Sequence, residues 1–232
     1  MAWLVRLRHT WAMIASWDIE TEHWDAGRPL IVGVDEAGRG PLAGPVVAAA
    51  VILPADPAVL RTLTGLTDSK ALSPARRRAF VPQIQAVARA YGVGVATAGV
   101  IDQINILQAT FLAMRRALRC LEGSYGLRCQ GVLVDGNQRI PALACPQWPL
   151  VKGDSRSLSI AAASVLAKEL RDALMGRLDG EYPGYGFAQH KGYPTAAHRL
   201  AIADRGPTPQ HRRSFAGVAH GQLDLGLWPN CP

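Results

Sequence analysis

Apolar positions along the chain fall into short strand-length runs separated by stretches with helical spacing. Leu30-Ile31-Val32-Gly33-Val34 predicts a first strand, followed by a glycine-rich stretch from Gly38 to Gly44. Residues 46–53, an unbroken apolar run ended by Pro54, predict a second strand buried on both faces. Residues 93–100 predict a third, Val132-Leu133-Val134 a fourth, and Leu150-Val151 the end of a fifth. Ser73-Pro74 has the form of an N-cap and first helical position, opening a helix to about Ala90 in which Pro82 is a candidate kink. Ile104, Leu107, Phe111, Met114 and Leu118 repeat along one side of a helix predicted over residues 101–121. Leu158, Ala161, Ala162, Val165, Leu166 and Leu170 define a second long helix. Strands interleaved with helices imply an α/β fold, a mixed sheet covered on both faces.

The pattern divides the chain into four parts. Residues 1–29 form an N-terminal extension with Trp3, Trp11, Trp17 and Trp24, mixed charge and no clear period. Residues 30–179 carry the strands and long helices. Residues 180–219, rich in Tyr, Gly, Pro, His and Arg, are expected to form a small C-terminal helical subdomain, and residues 220–232 a flexible tail.

With 49% hydrophobic and 19% charged residues in 232, a sizeable core is affordable and disorder is excluded. No stretch of about 18 residues is free of charge, Pro and Gly, which excludes a helical membrane span, and Arg6, Arg8 and Asp18 break the N-terminus as a secretory leader. A cytoplasmic location is expected. Cys120, Cys129, Cys145 and Cys231 lack paired spacing and are expected to be reduced. Lys and Arg outnumber Asp and Glu by 25 to 18, and the net charge of +7 favours a polyanionic partner.

Against that basic background four carboxylates sit beside strand ends. Asp35 and Glu36 follow the first strand, Asp135 the fourth, and Asp154 lies three residues beyond the fifth. Carboxylates beside buried strands need cations or metals. If the first and fourth strands are parallel neighbours, their ends bring Asp35 and Asp135 to one rim, where open α/β sheets bind ligands. Oxygen-only ligation there points to magnesium or manganese. Consecutive strand residues face opposite ways, so Glu36 joins Asp35 on one ion only if the backbone bends. Each residue also has a purely structural explanation: a solvated turn for Asp35-Glu36, a turn at Asp135-Gly136-Asn137, and an N-cap for Asp154.

The stretch Val34-Asp35-Glu36-Ala37-Gly38-Arg39-Gly40, continuing through Pro41 to Ala50, resembles the opening signature of the bacterial ribonuclease HII family. The likeness recurs at Asp68-Ser69-Lys70, at residues 101–106, at Val134-Asp135-Gly136-Asn137, and at Lys152-Gly153-Asp154 running into residues 159–168. It closes with Tyr185-Gly186-Phe187, His190-Lys191-Gly192-Tyr193 and His211-Arg212-Arg213-Ser214-Phe215, so it spans about residues 30–216 in order.

The resemblance implies a ribonuclease H-like fold, with a mixed five-stranded sheet, helices on both faces and a small C-terminal helical subdomain. It implies that Asp35, Glu36, Asp135 and Asp154 are the catalytic carboxylates and hold two Mn2+ or Mg2+ ions. Gly38, Arg39 and Gly40 would read the ribose 2′-hydroxyl, Tyr193 would stack on the neighbouring deoxyribose, and Lys70 would lie near the nucleic-acid backbone. The implied partners are RNA–DNA hybrids and duplex DNA containing ribonucleotides. Arg76, Arg77, Arg78, Arg212 and Arg213 are candidate phosphate contacts, whereas Tyr182, Tyr185 and Phe187 are expected to pack the subdomain. Asp172 ranks below Asp154 because Lys168 or Arg171 can pair with it. His190, His198 and His211 show no metal-ligand spacing and are expected to be structural or phosphate-facing. The rival readings are a ribonuclease HIII, whose substantial N-terminal domain 29 residues are too few to supply, and a non-catalytic hybrid-binding protein, which has no reason to keep four carboxylates facing phosphate. Residues 222–227, from Gln222 to Leu227, resemble the peptide by which bacterial repair proteins dock on the sliding clamp.

Overall fold

The computed structural model describes residues 15–218. Five strands, β1 (Ile31–Ala37), β2 (Val46–Ile52), β3 (Ala90–Ala96), β4 (Gly131–Asp135) and β5 (Gln147–Leu150), form one sheet in the order β3-β2-β1-β4-β5. Pairs β1–β2 and β2–β3 are antiparallel, while β1–β4 and β4–β5 are parallel. Around the sheet lie α1 (Asp18–Asp25), α2 (Pro57–Thr62), α3 (Pro74–Val87), α4 (Ala98–Tyr125), α5 (Leu158–Glu181), α6 (Phe187–His190) and α7 (Ala196–Arg205). The expected mixed α/β architecture is present.

Period-two alternation distributes the strands between two cores. Val34, Ala48, Ala50 and Val134 pack under α4 with Phe111, Met114 and Leu118. Val47, Ala49 and Val51 pack on the other face with Ala162 and Val165 of α5 and with Phe80 and Ile84 of α3. At Gly33 a Cβ would overlap the Ser159 and Ile160 backbone, so the glycine lets α5 lie directly on β1 beside Asp35.

Several boundaries depart from the apolar pattern. β1 continues through Asp35 and Glu36 to Ala37, because its pairing with β2 extends to Ala37 opposite Val47. Ser73 caps α3 as expected, and the helix runs on past Pro82 to Val87. β3 starts at Ala90 and ends at Ala96, rather than covering residues 93–100, since the Thr97 side chain accepts from Val100 N–H and caps α4. α4 is longer than expected at both ends and is broken at Asn105 (φ 65°), whose Oδ1 accepts from Gln108 N–H at 3.1 Å as an internal cap. Asp56 caps the short α2, which no pattern announced.

Within the first 29 residues α1 is held by tertiary contacts. Its Glu20, only 1% exposed, accepts from Ser157 Oγ (2.6 Å) and from Ser159 N–H (2.8 Å) and Oγ (2.5 Å) at the start of α5. Leu158 N–H also donates to Ser16 O at 2.8 Å. Beyond α5, Tyr185 and Phe187 stack at 5.5 Å and pack with Met175 and Ala43, and Tyr182 joins them, as expected of subdomain packing.

Candidate active site

Val34 of β1 pairs in register with Val134 of β4, and both face the α4 core. The next residues, Asp35 and Asp135, therefore project toward α5. Beyond β5 the chain turns through Lys152, in the left-handed region at φ 55°, into a single 3-10 turn, Gly153–Ser155. That turn is fastened to β4: Gly153 N–H donates to Asp135 Oδ1 at 2.7 Å and Asp154 N–H to the same oxygen at 3.4 Å. Asp35, Asp135 and Asp154 thus offer one carboxylate oxygen each, all within 4.8 Å of one another. Asp154 does not cap the following helix; Ser157 does, accepting from Ile160 N–H.

Glu36 faces the other way. Its Oε1 accepts from Arg39 Nη1 at 3.3 Å, and it lines a small cavity with Leu107, Thr110, Phe111 and Met114 of α4 as well as the cleft described below. The strand stays extended through Glu36 and turns only at Gly38, whose φ is +98°. Glu36 therefore stands outside the 4.8 Å trio, although it lines the cleft and its charge acts on Asp35.

The carboxylates of this half-dry site perturb one another. Burial, then the charges of Glu36 and Asp135, push the Asp35 carboxyl well above its usual range. Burial, then Asp135 and Asp68, lift Asp154 to about 6. Burial also raises Glu36, with Arg39 opposing it. Partial burial disfavours the Lys70 charge, but Asp68, Asp35, Asp154 and Asp135 together outweigh it and raise its pKa. A divalent cation relieves this repulsion, and a set of carboxylate oxygens suits a hard ion such as Mg2+ or Mn2+. The trio fits such an ion.

Beside the trio opens a cleft of about 370 Å³ lined by Glu36, Gly38, Arg39, Gly40, Lys70 and Tyr193. Gly38, Arg39, Gly40, Lys70 and Tyr193 therefore line one cleft together with Glu36. Tyr193 is 43% exposed at the rim. Its carbonyl accepts from His198 Nδ1 at 2.9 Å, and His198 Nε2 meets His211 Nε2 at 3.1 Å. These histidines are buried and structural. Burial, then His198, drives His211 down to about 4, so it is neutral at physiological pH.

Two expected phosphate contacts are corrected. Arg77 is buried, bonded to Glu169 at 2.8 Å and to the Ser69 and Leu72 carbonyls at 3.1 Å. Arg212 is wholly buried against the carbonyls of Gly38, Arg39 and Gly44. Both side chains direct these hydrogen bonds inside the protein. Asp172 pairs with Lys168 at 2.7 Å and Arg77 at 3.6 Å, away from the trio. Arg171, the other expected partner of Asp172, instead donates to the Ala43, Pro45 and Lys191 carbonyls. Sequence reading also passed over Asp68, which acts on Asp154 and accepts from Lys70 N–H at 2.8 Å; the Asp68-Ser69-Lys70 block was its signal.

The fold has solved counterparts. The solved PCNA:RNase HII complex from Archaeoglobus fulgidus is similar at TM-score 0.61 and 25% identity, covering 80% of this chain and 95% of that one. Bst-RNase HIII in complex with Mn2+ shares the fold at TM-score 0.68 and 19% identity, covering 82% and 68%. A ribonuclease H-like fold with carboxylates gathered at its strand ends defines the class: a ribonuclease H enzyme. The ribonuclease HII of Geobacter sulfurreducens is 54% identical over 204 residues, covering 88% of this chain and 90% of the relative. A family model for ribonuclease HII matches residues 32–218, and the chain belongs to that family.

Proposed function

We propose that this enzyme cuts the RNA strand of RNA–DNA hybrids and incises duplex DNA on the 5′ side of a single embedded ribonucleotide, leaving 3′-hydroxyl and 5′-phosphate ends. The observation that carries this reading is the convergence of Asp35, Asp135 and Asp154 within 4.8 Å beside a cleft lined by Gly38, Arg39, Gly40 and Tyr193. A carboxylate trio alone serves many hydrolases. A loop able to inspect a sugar, set next to it, narrows the substrate to one in which the sugar matters.

In this reading Asp35, Asp135 and Asp154 hold divalent cations, Mg2+ or Mn2+, with Glu36 completing the set from the opposite side of β1. Such a cation pair, when bound, supplies charge neutralisation at the phosphate and activation of the attacking water. The chain's own residues do the selecting. Gly40 carries no Cβ to hinder approach to the 2′-hydroxyl, the group that separates RNA from DNA. Arg39 brings charge to the adjacent phosphate, and Lys70 supports the backbone from across the cleft. The Tyr193 ring, exposed at the rim, stacks on the deoxyribose beyond the junction.

The net charge of +7 suits a polyanionic duplex, and no helix among the described residues is long and apolar enough to cross a membrane. We infer cytoplasmic action on chromosomal DNA. Residues 222–227 lie outside the described residues; carrying Gln222, Leu225 and Leu227, they suit docking on a sliding clamp. The solved RNase HII of Archaeoglobus fulgidus is in complex with PCNA.

The test is a substrate panel, comparing an RNA–DNA hybrid, a duplex with one ribonucleotide and an all-DNA duplex, each with Mg2+, Mn2+ or chelator. Cleavage of the first two alone, and only with metal, is the expected result. Cleavage of all-DNA, or cleavage in chelator, contradicts it.

A further inference from the structure

We propose that Arg212 is the positioning residue that aims the Arg39 and Gly40 amides at the ribose, so that selectivity for a 2′-hydroxyl depends on a side chain the substrate never touches. The inference rests on the reading of the glycine loop given under the proposed function.

Arg212 is 0% exposed, and among the described residues no carboxylate lies in ion-pair range of it. A buried, unpaired guanidinium is costly unless its donors are used. Here its three side-chain hydrogen bonds go to one loop: Nε donates to Gly44 O at 3.0 Å, Nη1 to Arg39 O at 2.9 Å and Nη2 to Gly38 O at 2.5 Å. Burial, then the neighbouring charge of Arg171, lowers its pKa to about 9, which leaves it charged at neutral pH.

The consequence follows from peptide geometry. In a trans peptide unit the carbonyl of one residue and the N–H of the next point in opposite directions. Holding Gly38 O inward turns the Arg39 N–H outward, and holding Arg39 O inward does the same for the Gly40 N–H. Farther along the loop, Leu42 N–H donates to Gly192 O and Gly44 N–H to Gln210 O, both at 2.8 Å. No described protein group accepts from the Arg39 or Gly40 amide, and both residues are exposed at the cleft that Glu36 and Tyr193 line. One planar fork thus sets two successive donors side by side. A lysine at position 212 has a single ammonium and cannot reproduce that geometry.

Arg212→Lys is tested in an Asp135→Asn background, which keeps the duplex uncut. Affinity for a single-ribonucleotide duplex is measured against affinity for the all-DNA duplex of the same sequence. A purely structural loss lowers both affinities or the active fraction and leaves their ratio alone. The ratio is expected to fall about tenfold, the scale of one lost amide hydrogen bond to the sugar. An unchanged ratio overturns the inference, whereas a parent protein with no ribonucleotide preference overturns the loop reading beneath it. Should Arg212→Lys fail to fold, amide exchange in the Asp135→Asn protein decides. The Arg39 and Gly40 amides are expected to exchange rapidly when free and to be protected by the ribonucleotide duplex but not by DNA. Protection already present in the free protein, or absent in the complex, overturns the inference.

Discussion

Asp35 and Asp135 occupy equivalent steps on two parallel strands, each directly following the in-register pair of Val34 and Val134. This one relationship accounts for most of the site. It places both carboxylates on the α5 side, leaves Glu36 on the α4 side, and lets Asp135 capture the Gly153 amide at 2.7 Å so that Asp154 is delivered to the same point.

Asp135→Asn should fold and lose nearly all cleavage. The amide oxygen can still accept from Gly153 N–H, so the 3-10 turn stays attached, while the charge needed for a cation is gone. With repulsion on Asp35 and Asp154 relieved, the metal-free variant should melt higher than the parent. Activity within about tenfold of the parent at saturating Mg2+, a loss of only 1.4 kcal/mol in barrier terms, would remove Asp135 from the catalytic set.

Asp154→Asn separates charge from structure, because Ser157, not Asp154, caps α5. Cleavage should collapse while the fold survives. The pH dependence follows from the raised pKa of about 6. Between the ordinary carboxylate range and pH 6 the folded protein holds a proton that the unfolded chain has released, so Asp154 costs the metal-free protein stability progressively as pH rises through that window. The metal-free melting temperature of the variant minus that of the parent should therefore grow from pH 4 to pH 7. A flat difference would contradict the assignment.

Sequence pattern and structure part at identifiable places. β2, the Ser73 cap and α5 were legible because apolar runs and local capping chemistry determine them. The gathering of Asp35 and Asp135 was legible once parallel pairing was assumed. α1 was not, since Glu20 meets Ser157 and Ser159 across 137 and 139 residues, and no local period reports such a contact. Nor were the interior positions of Arg77 and Arg212. Arginine is seldom buried, and what admits these two is a set of backbone carbonyls that only the folded loops assemble.

Tyr193→Ala should slow cutting at a single ribonucleotide by raising KM and lowering kcat, with Mn2+ affinity unchanged, because the ring lies at the cleft rim and outside the carboxylate trio. Steady-state kinetics on that substrate, with a parallel Mn2+ titration, check this. Unaltered kinetics would leave Tyr193 without a role in the junction.

Truncation after Gly221 should abolish binding to a purified sliding clamp while leaving the rate on short duplexes intact, since the carboxylate trio and the cleft residues all precede it. A titration with both chains measures this. Equal affinity, or none for the full chain, removes the docking role and touches nothing else.

The central claim is that a carboxylate trio and a sugar-reading loop act at one phosphate. Its most direct test is product mapping on an end-labelled DNA duplex containing a single ribonucleotide, with Mg2+ or Mn2+ present. A single cut immediately 5′ of the ribonucleotide, with 3′-hydroxyl and 5′-phosphate ends and none in chelator, is the predicted result. A 2′,3′-cyclic phosphate end, or a requirement for several consecutive ribonucleotides, would contradict the account.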